Sequence, residues 1–180
     1  MVQILYTLTA IFILGITVLT LNVKIHGTQE RIMFSELSLE MTEVGAEILN
    51  EIGKHDYDPN TIFGEVLPRS SLSPEGSWGG GFCNPNARFS GCFVINDFNG
   101  KTAERTVTRT HKGTSYDVVY NVTDIAVHYV TEDAPHTPSP GKAQTYAKEV
   151  TLKVSTPALV DGTGAPIEIP MARVYTYPSF

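Results

Sequence analysis

Residues 2–23 read VQILYTLTAIFILGITVLTLNV, a run of 22 residues without Lys, Arg, Asp, Glu or His. The first charged residue of the chain is Lys24, and the first proline is Pro59. A helix needs about 20 apolar residues to cross a bilayer core of about 30 Å. The run therefore predicts a helix that crosses a membrane or packs among other apolar helices.

An amphipathic helix is predicted to continue through residues 24–53. Its apolar residues recur at steps of three or four, which places them on one helical face: Phe34, Leu37, Met41, Val44, Ile48 and Ile52. Gly53 predicts the end of the helix. A single helix over residues 2–53 would be roughly 75 to 80 Å long, which is longer than a globule of this size could bury. Gly15, Gly27 and Gly45 each cost up to about 1 kcal/mol relative to Ala and mark places where the helix could bend.

Beyond residue 89 the pattern changes to a period of two, in segments rich in Val, Thr and Tyr that predict antiparallel strands: residues 106–110, 115–122, 126–130, 147–156 and 171–177. The clearest segment has two distinct faces. Val150, Leu152 and Val154 point one way, and we expect them to receive the apolar stripe of the helix. The other face carries polar side chains: Glu149, Thr151, Lys153 and Ser155. The expected fold is α+β, with a long N-terminal helix packed on a C-terminal antiparallel sheet.

The segment between helix and sheet, residues 54–88, is dense in Gly, Pro, Ser and Asn and has no sustained periodicity. Near its end lie the two cysteines of the chain, Cys83 and Cys92. Their spacing suits one local disulfide, and the further Cys or His ligands of a zinc site are missing. A disulfide favours an oxidising compartment for this part of the chain. Two free thiols in a reducing cell are the alternative.

These patterns divide the chain into residues 1–53, 54–88 and 89–180, which are the helix, the connection and the sheet head. Within the helix, residues 1–23 form the membrane or assembly part and residues 24–53 the stem. The apolar run is longer than the core of a signal peptide and nothing basic precedes it, so we expect it to be retained. Lys24, His26 and Arg31 would place the head inside the cell. We give more weight to the cysteines and expect the head outside.

Composition and motifs exclude several classes of function. The net charge of −6 argues against a nucleic-acid partner. The sequence holds no G-x-S-x-G elbow, no H-E-x-x-H helix and no phosphate-binding glycine loop. His55-Asp56-Tyr57-Asp58 could be drawn as a metal or acid–base cluster, but such residues in a turn after a helix are expected to be solvated. We therefore expect no enzyme, catalytic residue, metal, cofactor or small-molecule substrate.

Three local segments resemble type IV pilin-like proteins, the superfamily of pilins and secretion-system pseudopilins. Residues 47–58 (EILNEIGKHDYD) resemble the end of the pilin stem. Residues 93–100 (FVINDFNG) are similar to a D-D-x-D-D-F-N-G stretch of bacterial pilin-like proteins. Residues 146–157 (YAKEVTLKVSTP) resemble a Y-x-K-x-V-T-V-x-V-x-x-P strand. Together with the layout of helix and sheet, the resemblance covers most of the chain.

The chain departs from that family at two places. Standard type IV pilins have a basic leader and then Glu at the fifth mature position, whereas this numbering has no leader and Leu5 stands at its fifth position. Either the leader lies outside this numbering, or the chain belongs to a divergent bacterial branch without leader processing. The family's acidic pairs are reduced to Asn96 and Asp97, so we expect a plain turn there instead of a Ca²⁺ site.

The resemblance implies a structural subunit that waits in the cytoplasmic membrane and is built by pilus or type II secretion-like machinery into an extracellular homo-oligomeric filament. A minor pseudopilin or priming subunit is the first alternative, and a single-pass protein with a β-domain that binds a ligand is the second. The expected assembly and membrane surface comprises Ile4, Leu5, Leu8, Ile11, Phe12, Leu14, Gly15, Val18 and Leu21.

Overall fold

A computed structural model describes residues 2–61, 67–78, 83–84, 90–111 and 113–177, with the side chains of residues 2–5, 111 and 135 left out. The chain consists of two compact units, residues 1–39 and residues 40–180. Helix α1 runs from Val2 to Ile52. It holds all the described residues of the first unit and continues into the second. Its end at Ile52 is followed by a turn in which Gly53 N–H donates to Leu49 O at 3.1 Å.

The described residues of the second unit form an antiparallel sheet of five strands: β1 (Ala103–His111), β2 (Thr114–Thr131), β3 (Ala134–Pro138), β4 (Ala147–Val160) and β5 (Pro166–Thr176). The strand order is β1-β2-β4-β5, and β3 pairs with the end of β2. Residues 40–52 of α1 pack on one face of this sheet. The predicted α+β layout of a long N-terminal helix and an antiparallel sheet is therefore confirmed.

Two strands that the sequence predicts separately, residues 115–122 and 126–130, are one continuous strand, β2. Pairing with β4 shifts by one residue between Thr123 and Ala126, and Asp124 there has a φ of 54°. Before this bulge the buried residues are even-numbered, as at Val122, and directly after it they are odd-numbered, as at Val127, while Val130 at the end of the strand is buried as well. The extra residue keeps both halves of the apolar pattern on the same face of the sheet.

Two further connections border the long strands. The proline-rich segment after β2 contributes strand β3, which pairs with the end of β2. Residues 161–165, between β4 and β5, form an exposed hairpin turn, in which Asp161 N–H donates to Ala165 O at 2.8 Å. The segment from Ile95 to Phe98 is a short 3-10 helix. Residues 62–66, 79–82 and 85–88 of the predicted connection, and residue 89 of the predicted head, lie outside the described part of the chain.

The core of the second unit forms between residues 40–52 of α1 and the inner face of the sheet. Val150, Leu152 and Val154 are buried, as the alternation in β4 predicts. Tyr120 and Phe98 are also fully buried. Glu149, on the opposite face of β4, is also buried, and the rings of His128 and His136 contact its carboxylate.

Candidate functional site

The apolar half of α1 is exposed along its length. Exposed fractions of its large side chains from Tyr6 to Val23 lie between 50 and 71 %. Of the residues expected to form the assembly surface, the exposed large side chains are Leu8, Ile11, Phe12, Leu14, Val18 and Leu21. A side chain at Gly15 would meet nothing within 4 Å. Ile4 and Leu5 lie in the helix, but their side chains are outside the described set.

Threonine hydroxyls in this half bond within the helix. Thr17 donates to the carbonyl of Ile13, and Thr20 donates to that of Ile16, each at 2.8 Å. Such i to i−4 bonds satisfy the hydroxyl proton without water. The helix is long enough and apolar enough to cross a membrane. Because their hydroxyl protons are already bonded, these two threonines can enter lipid or a helix bundle without an unpaired donor.

The second half of the stem packs tightly on the sheet. Its buried apolar residues within the second unit are Met41, Val44, Ile48, Leu49 and Ile52. Four of these belong to the predicted stripe, and Leu49 was missed because it lies beside the stripe's main row. Leu37 is buried as well. Phe34, the first residue of the predicted stripe, is 47 % exposed.

Polar contacts fix this part of the helix on β1 and β2. The Nε of Arg109 donates to Glu40 Oε1 at 2.8 Å, with a second guanidinium nitrogen at 2.6 Å, and the hydroxyl of Tyr120 donates to Glu40 Oε2. Partial burial pushes the pKa of the Glu40 carboxyl upward. The bonds from Arg109 and Tyr120 outweigh this effect and hold the pKa below its ordinary value.

The predicted disulfide between Cys83 and Cys92 is present. Immediately after it, the chain pairs with the turn that follows α1: Asp56 N–H donates to Phe93 O at 3.2 Å, and Ile95 N–H donates to Asp56 O at 2.9 Å. The Asp97 carboxylate accepts bonds from the backbone of Phe93 and Val94. The disulfide thus lies beside the end of the stem.

A buried polar centre, defined as Asp58, Asn96 and Lys148, lies beneath this pairing, and all three residues are at most 2 % exposed. Lys148 Nζ donates to Asn96 Oδ1 at 2.7 Å, to the Tyr57 carbonyl at 2.7 Å and to Asp58 Oδ2 at 3.0 Å. Asn96 Nδ2 donates to the same Asp58 Oδ2 at 3.1 Å. One carboxylate oxygen therefore contacts both the lysine amine and the asparagine amide.

Aromatic rings surround the amine of Lys148. Nζ lies 4.1 Å from the ring centroid of Tyr57, 5.1 Å from that of Tyr129 and 5.2 Å from that of Trp78. Burial lowers the pKa of Lys148 from 10.5 to about 8, although Asp58 pulls in the opposite direction. For Asp58, burial alone would raise the pKa, but the charge and hydrogen bond of Lys148 lower it below its ordinary value.

No local sequence pattern indicated this centre. The expectation that residues 55–58 are solvated is wrong for Tyr57 and Asp58, because Lys148 and the aromatic rings cover them. The sequence does hold a signal for the burial of Lys148. Val150, Leu152 and Val154 alternate on the inner face of β4, and Lys148 lies two residues before Val150, on the same face. Asp58, Asn96 and Lys148 also lie one in each of the three segments that carry the pilin resemblance. Their proximity could not be read from any segment alone.

Among the residues that the structure describes, no group of three or more His, Cys, Asp and Glu side chains is arranged to hold a metal ion. Comparison with known proteins adds no identification: no protein-family model, no curated protein and no solved structure matches the chain.

Proposed function

We propose that this chain is a structural subunit of an extracellular, type IV pilus-like helical filament, assembled from a membrane through its N-terminal helix. The observation that supports this best is the division of one helix between two environments. Its front half exposes apolar side chains, while residues 40–52 form the spine of a β-sheet head. A simple membrane anchor needs only about 20 residues. The helix continues for about 30 residues beyond that length, as expected if the heads of many copies are carried on a shared core of packed helices.

The exposed front half must be covered by lipid or by other helices. Packing of many copies would bury apolar area at about 25 cal/mol per Å². Lipid tails cover the same surface equally well before assembly, so association gains little from the hydrophobic effect alone. Filament growth would therefore depend on membrane machinery of the pilus or type II secretion kind, with the membrane serving as the store of subunits.

Placement of the head outside the cytoplasmic membrane is supported by the Cys83–Cys92 disulfide, because such bonds persist in oxidising compartments. Contacts between unlike surfaces of successive copies would give an open helical fibre instead of a closed ring. In this role the partners are further copies of the chain, the membrane and the assembly machinery. The role requires neither a small-molecule substrate nor a cofactor.

Electron microscopy of material sheared from the cell surface, with mass spectrometry of the fibres, tests the proposal. Abundant fibres composed mainly of this chain support it, and the N-terminal peptide shows whether a leader has been removed. A few copies within fibres of another subunit favour a minor pseudopilin. If the chain is found only as single copies in membranes and never in a fibre, the proposal is wrong and a membrane-anchored binding protein is favoured.

A further inference from the structure

The buried polar centre has a geometry that an ordinary ion pair does not need. An unbonded lysine ammonium loses much hydration energy on burial, and a single carboxylate repays it only with good geometry and further hydrogen bonds. Here the side-chain amide of Asn96 lies directly against the amine, at 2.7 Å between Lys148 Nζ and Asn96 Oδ1. Asp58 Oδ2 lies 3.0 Å from the amine and 3.1 Å from the amide nitrogen.

We propose that Lys148 and Asn96 join spontaneously through an isopeptide bond between Nζ and the side-chain carbonyl carbon, with Asp58 transferring the protons. The nucleophile, the electrophile and the proton carrier are held together by the fold. This inference concerns the head and does not depend on the proposed filament.

The reaction balances without a co-reactant. Asp58 accepts a proton from the Lys148 ammonium, and the neutral amine attacks the carbonyl carbon of Asn96, forming a new C–N bond. Asp58 then delivers its proton to Nδ2, and the original C–N bond of the amide breaks. Asp58 relays a second proton from Nζ to the departing ammonia, which leaves as ammonium. Nζ has then lost two of its three protons, and Asp58 ends as the carboxylate that it was. No group is oxidised or reduced.

The surroundings favour this chemistry in three ways. A pKa near 8 gives Lys148 a neutral fraction near neutral pH that an ordinary lysine lacks, since only the unprotonated amine is a nucleophile. The rings of Tyr57, Trp78 and Tyr129 keep water from the reacting atoms, which protects the product from hydrolysis. Preorganisation of the three groups replaces a bimolecular encounter by an intramolecular step.

The bond would connect residues 52 positions apart in sequence. It would join the strand β4 to the 3-10 segment Ile95–Phe98, which is hydrogen-bonded through Ile95 to Asp56 in the turn after α1 and follows the disulfide in the chain. The isopeptide bond would thus tie a central strand of the sheet to the segment that contacts the end of the stem.

Mass spectrometry of the purified full-length chain, reduced and alkylated, tests the proposal directly. We expect the intact mass to lie one ammonia below the mass calculated for the sequence with both cysteines alkylated. Trypsin cleaves after Lys and Arg, so we expect residues 89–101 to be recovered joined to residues 143–153, uncleaved at Lys148. A full mass, together with a separate peptide that ends at Lys148 and an unmodified Asn96, overturns the proposal and leaves a plain buried ion pair.

Variants separate the reaction from a chance modification. Lys148→Met and Asn96→Ala are each expected to restore the mass of the unlinked chain, whereas Lys153→Met, at an exposed lysine on the same strand, keeps the loss of ammonia. Asp58→Asn tests the proton carrier, and persistence of the link in it would disprove that role. Because these buried substitutions also weaken the head, the mass of the unsubstituted protein is the deciding measurement.

Discussion

A Cβ atom on Gly45 would lie 2.2 Å from the Sδ of Met171, and it would lie 3.0 Å from Cγ2 of Val154. A side chain at residue 45 of helix α1 would therefore force Met171 to move and would press on Val154. The glycine that the sequence marks as a weak point of the helix lets the helix pack closely on β4 and β5. This contact belongs entirely to the second unit.

Enlarging Gly45 should destabilise the head. We expect Gly45→Leu to lower the free energy of unfolding by about 1 to 3 kcal/mol, because Met171 and Val154 must move to admit the side chain. Gly27→Leu is the matched control, since a side chain there meets nothing within 4 Å. Thermal unfolding in detergent, followed by circular dichroism, compares them. Equal stability of the two variants would contradict the close approach.

The contact between Glu40 and Arg109 should make stability depend on pH. The pKa of Glu40 is lower in the folded state than its ordinary value of 4.5. Its contribution is therefore fully present above that ordinary value and is lost as the pH falls through the folded value. We expect Glu40→Gln to cost roughly 1 to 2 kcal/mol at pH 7 and less as the solution becomes acidic. Denaturant titrations at several pH values measure this.

Glu47→Gln is the control for that experiment, because Glu47 is exposed on the same helix. It should leave the unfolding free energy unchanged within about 0.5 kcal/mol. A cost that is the same at every pH would mean that the charge of Glu40 is not what stabilises the contact.

The bulge in β2 should tolerate glycine better than a branched residue at Asp124. Its φ of 54° lies in the left-handed region, which costs L-residues roughly 1 to 2 kcal/mol and which β-branched residues avoid most strongly. We expect Asp124→Val to destabilise the head by about that amount, while Asp124→Gly is near neutral. Urea unfolding of both proteins checks this. Comparable losses would point instead to the ion pair of Asp124 with Lys153, 3.0 Å away.

Removing the disulfide should weaken the head by about 2 to 3 kcal/mol, the value expected for closing a loop of this length. The variant with both Cys83 and Cys92 changed to Ser provides the test in guanidinium titrations. Reductant should destabilise the unsubstituted protein by the same amount and have no effect on the double variant. A reductant effect that persists in the double variant would exclude the disulfide as its cause.

A charge in the apolar half of α1 should prevent filament assembly under the proposed function. We expect Leu14→Lys to abolish surface fibres, since its exposed side chain would have to be buried among neighbouring helices. Leu14→Met keeps the surface apolar and should leave the fibres intact. Electron microscopy of sheared material counts the fibres, and immunoblots of membranes and medium locate the subunit. Normal fibres from Leu14→Lys would disprove a role for this surface in assembly.

Local patterns were sufficient to predict much of this molecule. The apolar run before Lys24 and the spacing of Met41, Val44, Ile48 and Ile52 depend on the helical period, which any short window of sequence records. Alternation in β4 predicted its buried face in the same way. Two cysteines nine positions apart offered little choice of partner within the chain.

Contacts between distant segments required the tertiary structure. Asp124 interrupts the alternation of β2, and its bulge becomes visible only when β4 is placed beside it. Glu40 lies among the polar positions of a helix, yet Arg109 and Tyr120 reach it from the sheet. Asp58, Asn96 and Lys148 come from three separate segments, and no pattern within any one segment indicates that the three side chains meet. Periodicity reports which way a side chain points along its own element, whereas the partners that it meets depend on how the chain folds back on itself.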